Sequence, residues 1–304
     1  MFFIGFRTGF LRLAAFCLLV LSMQACDKDD HLTPPTGDYI EPPKETAMEG
    51  VDYLLPKIDL GNWKVTLPIG NPTEVSPPEI LDYANNDVLK PFMYNDSTDG
   101  SIVFYTYPGA TTANTSYSRT ELREQMVAGS NSTNWTFSEG GRMKGKLALE
   151  DISNDGSGDP HRTIIMQIHG RLTNEQRDLI NENDNNAPPM LKIYWNKGRV
   201  RVKTKILKDL NATYEELLHT DAWGDDDGFF FDEYVGNEPF TLEVIASEGR
   251  MEVILNDNES KVYDDIHIQK WSVFENYFKA GNYLITLDEG AFAKVKYYEL
   301  AVSH

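Results

Sequence analysis

From Trp63 to Ser303 the chain keeps switching between apolar and polar residues at every second position, over short stretches only. Side chains two apart on a strand share a face, so this period builds half-buried strands rather than amphipathic helices. The stretches are NWKVTLP (62–68), SIVFYTYP (101–108), SRTELREQM (118–126), RMKGKLALEDI (142–152), RTIIMQIHG (162–170), MLKIYW (190–195), RVRVKTKIL (199–207), FTLEVIAS (240–247), RMEVILND (250–257), YFKAGNYLITL (277–287) and AKVKYYELAVS (293–303). They are rich in Val, Ile, Tyr, Thr and Phe, and NKG (196–198) and SEG (247–249) between them read as hairpin turns. Helical signal is confined to PPEILDYANND (77–87) and TYEELLHTDAW (213–223). Eleven strands in one span, with no repeat and no second linker, predict an all-β fold, an antiparallel β-jelly roll or two-sheet sandwich. One face of each strand then enters the core, and the other face of a concave sheet lines a substrate groove.

The N-terminus has the layout of an export signal. Arg7 and Arg12 precede the apolar run Leu13 to Leu21, which is too short to span a bilayer as a mature helix. Ala25 before Cys26 resembles the processing site of a bacterial lipoprotein, although Met23 stands where such signals usually carry Leu. The expected organisation is a lipoprotein signal over 1–26 with lipid on Cys26, a flexible linker over 27–50 and one domain over 51–304. The acid run after Cys26 resembles the surface-export signal of lipoproteins in some Gram-negative bacteria and reads equally as a merely solvated linker; the expectation is an exported chain anchored to the outer membrane, with the cell surface as one of two placements. Cys17 leaves with the signal, so the mature chain has no internal disulfide and rests on its core. The net charge of -19 should repel nucleic acid and anionic membranes, leaving the anchor as the membrane contact and a monomer as the expected state.

On so acidic a chain the placing of cations is informative. In SRTELREQM one face holds Arg119, Glu121, Arg123 and Gln125, and the other Thr120, Leu122, Glu124 and Met126. Gln167 and His169 share a face; so do Tyr277, Lys279, Gly281 and Tyr283; so do Arg199, Arg201, Lys203 and Lys205. Each stripe alone reads equally as a solvated sheet face. Brought to one groove, they make a basic surface with amide, imidazole and phenol groups, suited to a chain of sugar carboxylates.

RTELRE, QIH and YFKAGNY, in that order, resemble the three signature motifs of polysaccharide lyase family 7, the alginate lyases, and WKVTLP is similar to that family's first strand. The resemblance covers about residues 60 to 300. It implies a jelly roll with its site in the concave groove, alginate as the anionic polysaccharide partner, and Arg119, Gln167, His169 and Tyr283 as the catalytic set. Glu121, Arg123, Lys279, Tyr277, Arg199 and Arg201 would orient these groups or hold neighbouring sugars. The stretch 171–190 stands where the family often carries a mobile lid. Ile168, between Gln and His, goes in the family with guluronate-containing substrates.

The chemistry agrees. β-Elimination at a 4-linked uronate needs its carboxylate neutralised, the C5 proton removed and O4 protonated. Arg119 and Gln167 suit the first task, His169 the second and Tyr283 the third, with Arg119 or Lys279 expected to lower the phenol's pKa. No metal or cofactor is expected, since no His/Cys/Asp cluster has metal-ligand spacing; a calcium ion at Asp225 to Asp227 is a minor alternative. Two other readings stand beside this one. A non-catalytic carbohydrate-binding jelly roll needs the groove without the His169–Tyr283 pair. A glycoside hydrolase needs two close carboxylates, for which LEDISND (149–155) and FDEY (231–234) are the nearest stretches.

Overall fold

The computed structural model describes residues 54–112 and 115–304. The expected signal, the linker and Cys26 lie outside the described residues. In chain order the strands are β1 (Lys57–Ile58), β2 (Trp63–Thr66), β3 (Glu74–Val75), β4 (Met93–Asp96), β5 (Ser101–Thr106), β6 (Arg119–Glu124), β7 (Trp135–Thr136), β8 (Gly141–Ile152) and β9 (Arg162–Arg171). They continue as β10 (Asn186–Asn196), β11 (Arg199–Leu207), β12 (Trp223–Asp225), β13 (Phe229–Tyr234), β14 (Phe240–Ser247), β15 (Arg250–Leu255), β16 (Glu259–Tyr263), β17 (Glu275–Leu284) and β18 (Ala293–Ser303). Three short helices, α1 (Asn174–Leu179), α2 (Tyr214–Leu218) and α3 (Ile266–Trp271), sit in connections.

The strands form the two sheets that the alternation predicts. The eight-stranded sheet has the order β16-β15-β14-β8-β18-β5-β4, with β1 beside β18. The ten-stranded sheet has the order β12-β11-β10-β9-β17-β6-β2-β3, with β13 beside β11 and β7 beside β17. Val65, Leu122, Ile168 and Phe278 of the larger sheet join Met143, Leu147, Val244 and Val295 of the smaller in one buried cluster. The β10–β11 hairpin turns through Lys197 (φ 52°) and Gly198 (φ 78°), the pair of positive dihedrals that a two-residue turn of this hand requires.

The chain departs from its sequence reading where elements are short or their signal is mixed. The β15–β16 turn uses Asn256 and Asp257, at φ 51° and 52°, and so lacks the glycine that marks the other hairpins. Helix α3 lies in a stretch that alternates on paper; Asp265 starts it by accepting from the backbone N–H groups of His267 (2.9 Å) and Ile268 (3.3 Å). The stretch 171–190 carries regular structure. It ends β9, forms α1 behind a Thr173–Gln176 capping box, and opens β10, which starts at Asn186 rather than Met190. Gln176 also donates to Tyr214 Oη (3.0 Å) and to the carbonyl of Val273 (2.7 Å), which ties α1 to the body.

A polar cross-tie runs through the core. Asn282 is fully buried and donates to the carbonyls of Phe104 (2.9 Å) and Ala293 (2.8 Å) in the opposite sheet, while its Oδ1 accepts from Thr163 Oγ1 (2.7 Å). Thr106 Oγ1 donates to the Asn282 carbonyl (3.1 Å) and accepts from Thr120 N–H (2.8 Å). Asn282→Ala should therefore strand three buried partners, each costing about 1–3 kcal/mol. The expected result is a lower urea midpoint at unchanged m-value; a midpoint equal to the parent's would show that the tie contributes nothing.

Candidate active site

The three stretches that stand far apart in sequence occupy three adjacent strands. Gln167 on β9 lies opposite Lys279 on β17, which lies opposite Arg123 on β6. His169 is opposite Tyr277, and Tyr283 opposite Arg119. β2 adds Lys64 opposite Arg123, and β10 adds Lys192 opposite Gln167. Two cavities of about 310 and 300 Å³ open on this face. The first takes in Lys64, Arg123, Arg171, Asn131 and Tyr277; the second takes in His169, Gln167, Tyr283, Tyr194 and Arg162; Arg119 and Lys279 line both.

A bulge in β9 sets which side chains reach the groove. Ile165 has no partner in either neighbouring strand, since pairing jumps from Met166 to Ile164 on both sides. Ile164 therefore joins Gln167 and His169 on the cavity wall, and strict alternation is broken. The carbonyl left over at Ile165 accepts from the hydroxyl of Tyr297, which reaches across the core from β18. The same hydroxyl oxygen accepts from Gly281 N–H (3.2 Å). Gly281 has φ +137° and lies so close to β6 that a Cβ would stand 2.7 Å from the Thr120 carbonyl oxygen. This contact fixes β17 two residues from Tyr283.

Glu121, opposite Gly281, organises the cations. Its side chain is 1 % exposed. It pairs with Lys279, accepts from Gln167 Nε2 (2.5 Å) and lies 3.8 Å from Arg119 Nε, itself buried without a hydrogen-bond partner. Burial, opposed by Glu121, brings Lys279 down to about 8. Arg119 and Lys279 around one carboxylate leave the cluster net positive.

The imidazole is held in one form. His169 Nδ1 lies 2.9 Å from the Gly170 carbonyl, an acceptor only, so Nδ1 carries the proton and Nε2 is bare. Its ring stacks on Tyr277 at 5.2 Å, and Arg123 covers Tyr277 at 4.0 Å. Burial first, then the charges of Lys279, Arg119 and Arg123, push His169 down to about 3. Tyr283 moves the other way: burial outweighs Arg119 and raises its pKa, correcting the expectation that neighbouring cations lower it. At neutral pH the site thus presents an unprotonated imidazole and a protonated phenol.

The remaining expected residues divide. Arg123 lines the groove, but its fork is engaged by the carbonyls of Glu124 (2.6 Å) and Asn131 (3.0 Å) and by Asn134 Oδ1 (2.8 Å). Arg199 and Arg201 lie outside both cavities, on β11. Lys203 and Lys205 turn to Asp225 at 3.6 and 2.6 Å, joined there by Lys192 at 2.8 Å. Asp226 accepts from Thr204 N–H (3.0 Å) and Oγ1 (3.2 Å). Among the described residues no group of three or more His, Cys, Asp or Glu side chains is arranged to hold a metal ion. Sequence reasoning missed Lys64, Arg171, Arg162 and Tyr194. Parity along MLKIYW pairs Lys192 with Tyr194, parity along β9 carries Arg171 with Gln167 and His169, and the bulge at Ile165 hides Arg162.

A two-sheet all-β fold whose groove carries a cationic cluster beside an imidazole and a phenol suits an anionic polysaccharide. A family model described as alginate lyase matches residues 58–304, so the chain belongs to polysaccharide lyase family 7, the alginate lyases. It is similar to the solved structure of family 7 alginate lyase A1-II′ in complex with substrate (GGMG), at 27 % identity and TM-score 0.64, covering 81 % of this chain and 94 % of that one. Alginate lyase AlgAT5 is 26 % identical at TM-score 0.57, with 83 % and 99 % covered. The alginate lyase PA1167 from Pseudomonas aeruginosa, 21 % identical at TM-score 0.61 with 81 % and 100 % covered, shares the fold. No curated protein matched by sequence. The fold is the family's jelly roll, and the chain is an alginate-lyase-family enzyme.

Two outcomes follow from the geometry. As pH rises through about 8, Lys279 loses its proton and Glu121 is no longer offset, so kcat/KM should fall there, and Lys279→Arg should move that limb upward. No acid limb should appear near 6.5, because His169 stays neutral down to about 3. A limb near 6.5 that His169→Asn abolishes would contradict the burial argument. Tyr297→Phe keeps the ring and removes the hydroxyl that holds the bulge. It should lower kcat roughly tenfold, about 1.4 kcal/mol, with little change in KM. Unchanged kcat in a folded variant would remove Tyr297 from the positioning of Tyr283.

Proposed function

We propose that the enzyme cleaves 4-linked alginate by β-elimination, giving unsaturated oligouronates, with guluronate-containing stretches as preferred substrate. The observation that carries this reading is the opposite titration of two groups on one cavity wall, a bare His169 Nε2 and a protonated Tyr283 phenol, beside a net-positive cluster. The uronate carboxylate pairs with Arg119 and the Gln167 amide, in reach of Lys279. His169 Nε2 takes the C5 proton. The electron pair of that C–H bond forms the C4=C5 double bond as the C4–O4 bond breaks, and Tyr283 gives its proton to O4. Mannuronate and guluronate place the C5 proton on opposite sides of the ring relative to O4. Mannuronate would need the tyrosine as base as well as acid. A phenol whose pKa is raised is a poor base, which favours the guluronate route, with base and acid on separate residues.

Complexes of the A1-II′ relative with substrate (GGMG) and with product (GGG) support an alginate ligand. For residues 1–26 we propose export and lipid attachment at Cys26, with anchorage in the outer membrane; Cys26→Ser should release the protein from the membrane fraction.

The test uses separate polymannuronate, polyguluronate and alternating alginate, with chelator present. Ultraviolet absorbance of the conjugated uronate should rise, fastest on guluronate-containing polymer. Saturated products would overturn elimination. Tyr283→Phe should lose on the order of a hundred- to ten-thousandfold on every block. His169→Ala should lose more on guluronate than on mannuronate; equal losses would end the division of labour.

A further inference from the structure

The strand register continues past the catalytic cavity. Moving outward from Tyr283, the residues directly opposite one another are Ile164 on β9, Tyr194 on β10, Arg201 on β11 and Phe230 on β13. Neighbouring strands lie about 4.8 Å apart, so the row extends roughly 19 Å from the phenol to the outermost ring. Cross-strand partners share a face, which puts the row on the groove side. Tyr283, Ile164 and Tyr194 belong to the catalytic cavity, and Arg201 and Phe230 lie beyond its rim.

The outer part alternates guanidinium and ring. Arg162 lies 5.8 Å from the Tyr194 ring centre, and Arg201 5.1 Å from that of Phe230. A second line runs alongside: Arg162 opposite Asn196, Asn196 opposite Arg199, Arg199 opposite Tyr234. Phe230 is 41 % and Tyr234 69 % exposed, on an outer strand of the sheet. Arg201 donates Nη2 to the Asp227 carbonyl (2.8 Å), while its Nε is buried without a hydrogen-bond partner. Two large rings held open beside three arginines, on a chain of net charge -19, call for a ligand that is both anionic and ring-shaped.

We propose that this arginine–aromatic platform is a distal subsite for the same uronate polymer, several sugars from the bond that breaks. Sugar rings offer C–H faces to Phe230 and Tyr234, and their carboxylates pair with Arg199 and Arg201. Asp232, exposed between the two rings, lowers the local positive charge and leaves stacking as the larger contribution. The inference rests on the uronate reading of the groove. It adds a length dependence that the catalytic cavity alone does not give.

The experiment measures calorimetric binding to the Tyr283→Phe protein, with and without Phe230→Ala. The probes are a short oligouronate that fills the catalytic cavity alone and a long polyuronate. Phe230→Ala should raise Kd about tenfold for the polymer and less than twofold for the short oligomer, and Phe230→Trp should restore polymer affinity. In the active enzyme the ratio of kcat/KM on polymer to that on short oligomer should fall by the same factor. Equal losses on both probes, or none on either, overturn the platform while the uronate reading stands. A parent that binds neither probe overturns the uronate reading and the platform with it.

Discussion

One buried carboxylate sets the site. Glu121 is nearly inaccessible, and an unpaired carboxylate there would be very costly. It is tolerated because Lys279, Gln167 and Arg119, each from a different side, converge on it. The arrangement works in reverse as well. Two cations packed against one point would repel one another, and Glu121 holds Lys279 and Arg119 together while leaving net positive charge. The carboxylate thus acts as an assembly point for the cationic and amide groups of the groove, and Gly281 opposite it supplies the room.

The groove is shaped from behind. The smaller sheet contributes nothing to the cavity walls, yet Tyr297 reaches from it through the core to the carbonyl of Ile165 and the N–H of Gly281. Asn282, next in the chain, bonds back to both Phe104 and Ala293. Two polar anchors, neither touching the groove, therefore hold the two residues that precede Tyr283. Buried polar groups of this kind fix one geometry when fully paired and are costly when partly paired. The same strand interior that holds the sheets together holds the Tyr283 phenol in place.

Much of this is legible in the sequence, and what is not has a physical reason. Period-two alternation identifies the long strands and the sides of RTELRE, QIH and YFKAGNY, because a side chain's face depends only on parity until a bulge intervenes. It fails at Ile165, where one extra residue reverses parity and brings Ile164 to the groove. It fails at β13, where FFFDEY has two faces of mixed polarity. It misleads for Lys203 and Lys205, since Asp225, distant in sequence, takes both charges. Direction of titration is likewise invisible: Arg119 beside Tyr283 suggests a lowered pKa, and only three-dimensional burial shows desolvation to be the larger effect.

The low basicity of His169 follows from burial and from the cationic cluster beside it. Burial and the neighbouring cations hold it near 3, several units below an ordinary imidazole. In the proposed mechanism, a uronate carboxylate entering between Arg119 and the Gln167 amide would compensate part of that positive charge and so raise the proton affinity of Nε2. Coupling of this kind is reciprocal: the more proton His169 carries, the more tightly the anion is held. As the C5 proton moves, the sugar's own negative charge grows and spreads into its carboxylate. The attraction is therefore greater at the transition state than for bound substrate, which is the condition for binding energy to accelerate the chemical step. On the proposed mechanism, the depressed pKa of His169 is what a base that becomes effective when its substrate arrives would show at rest.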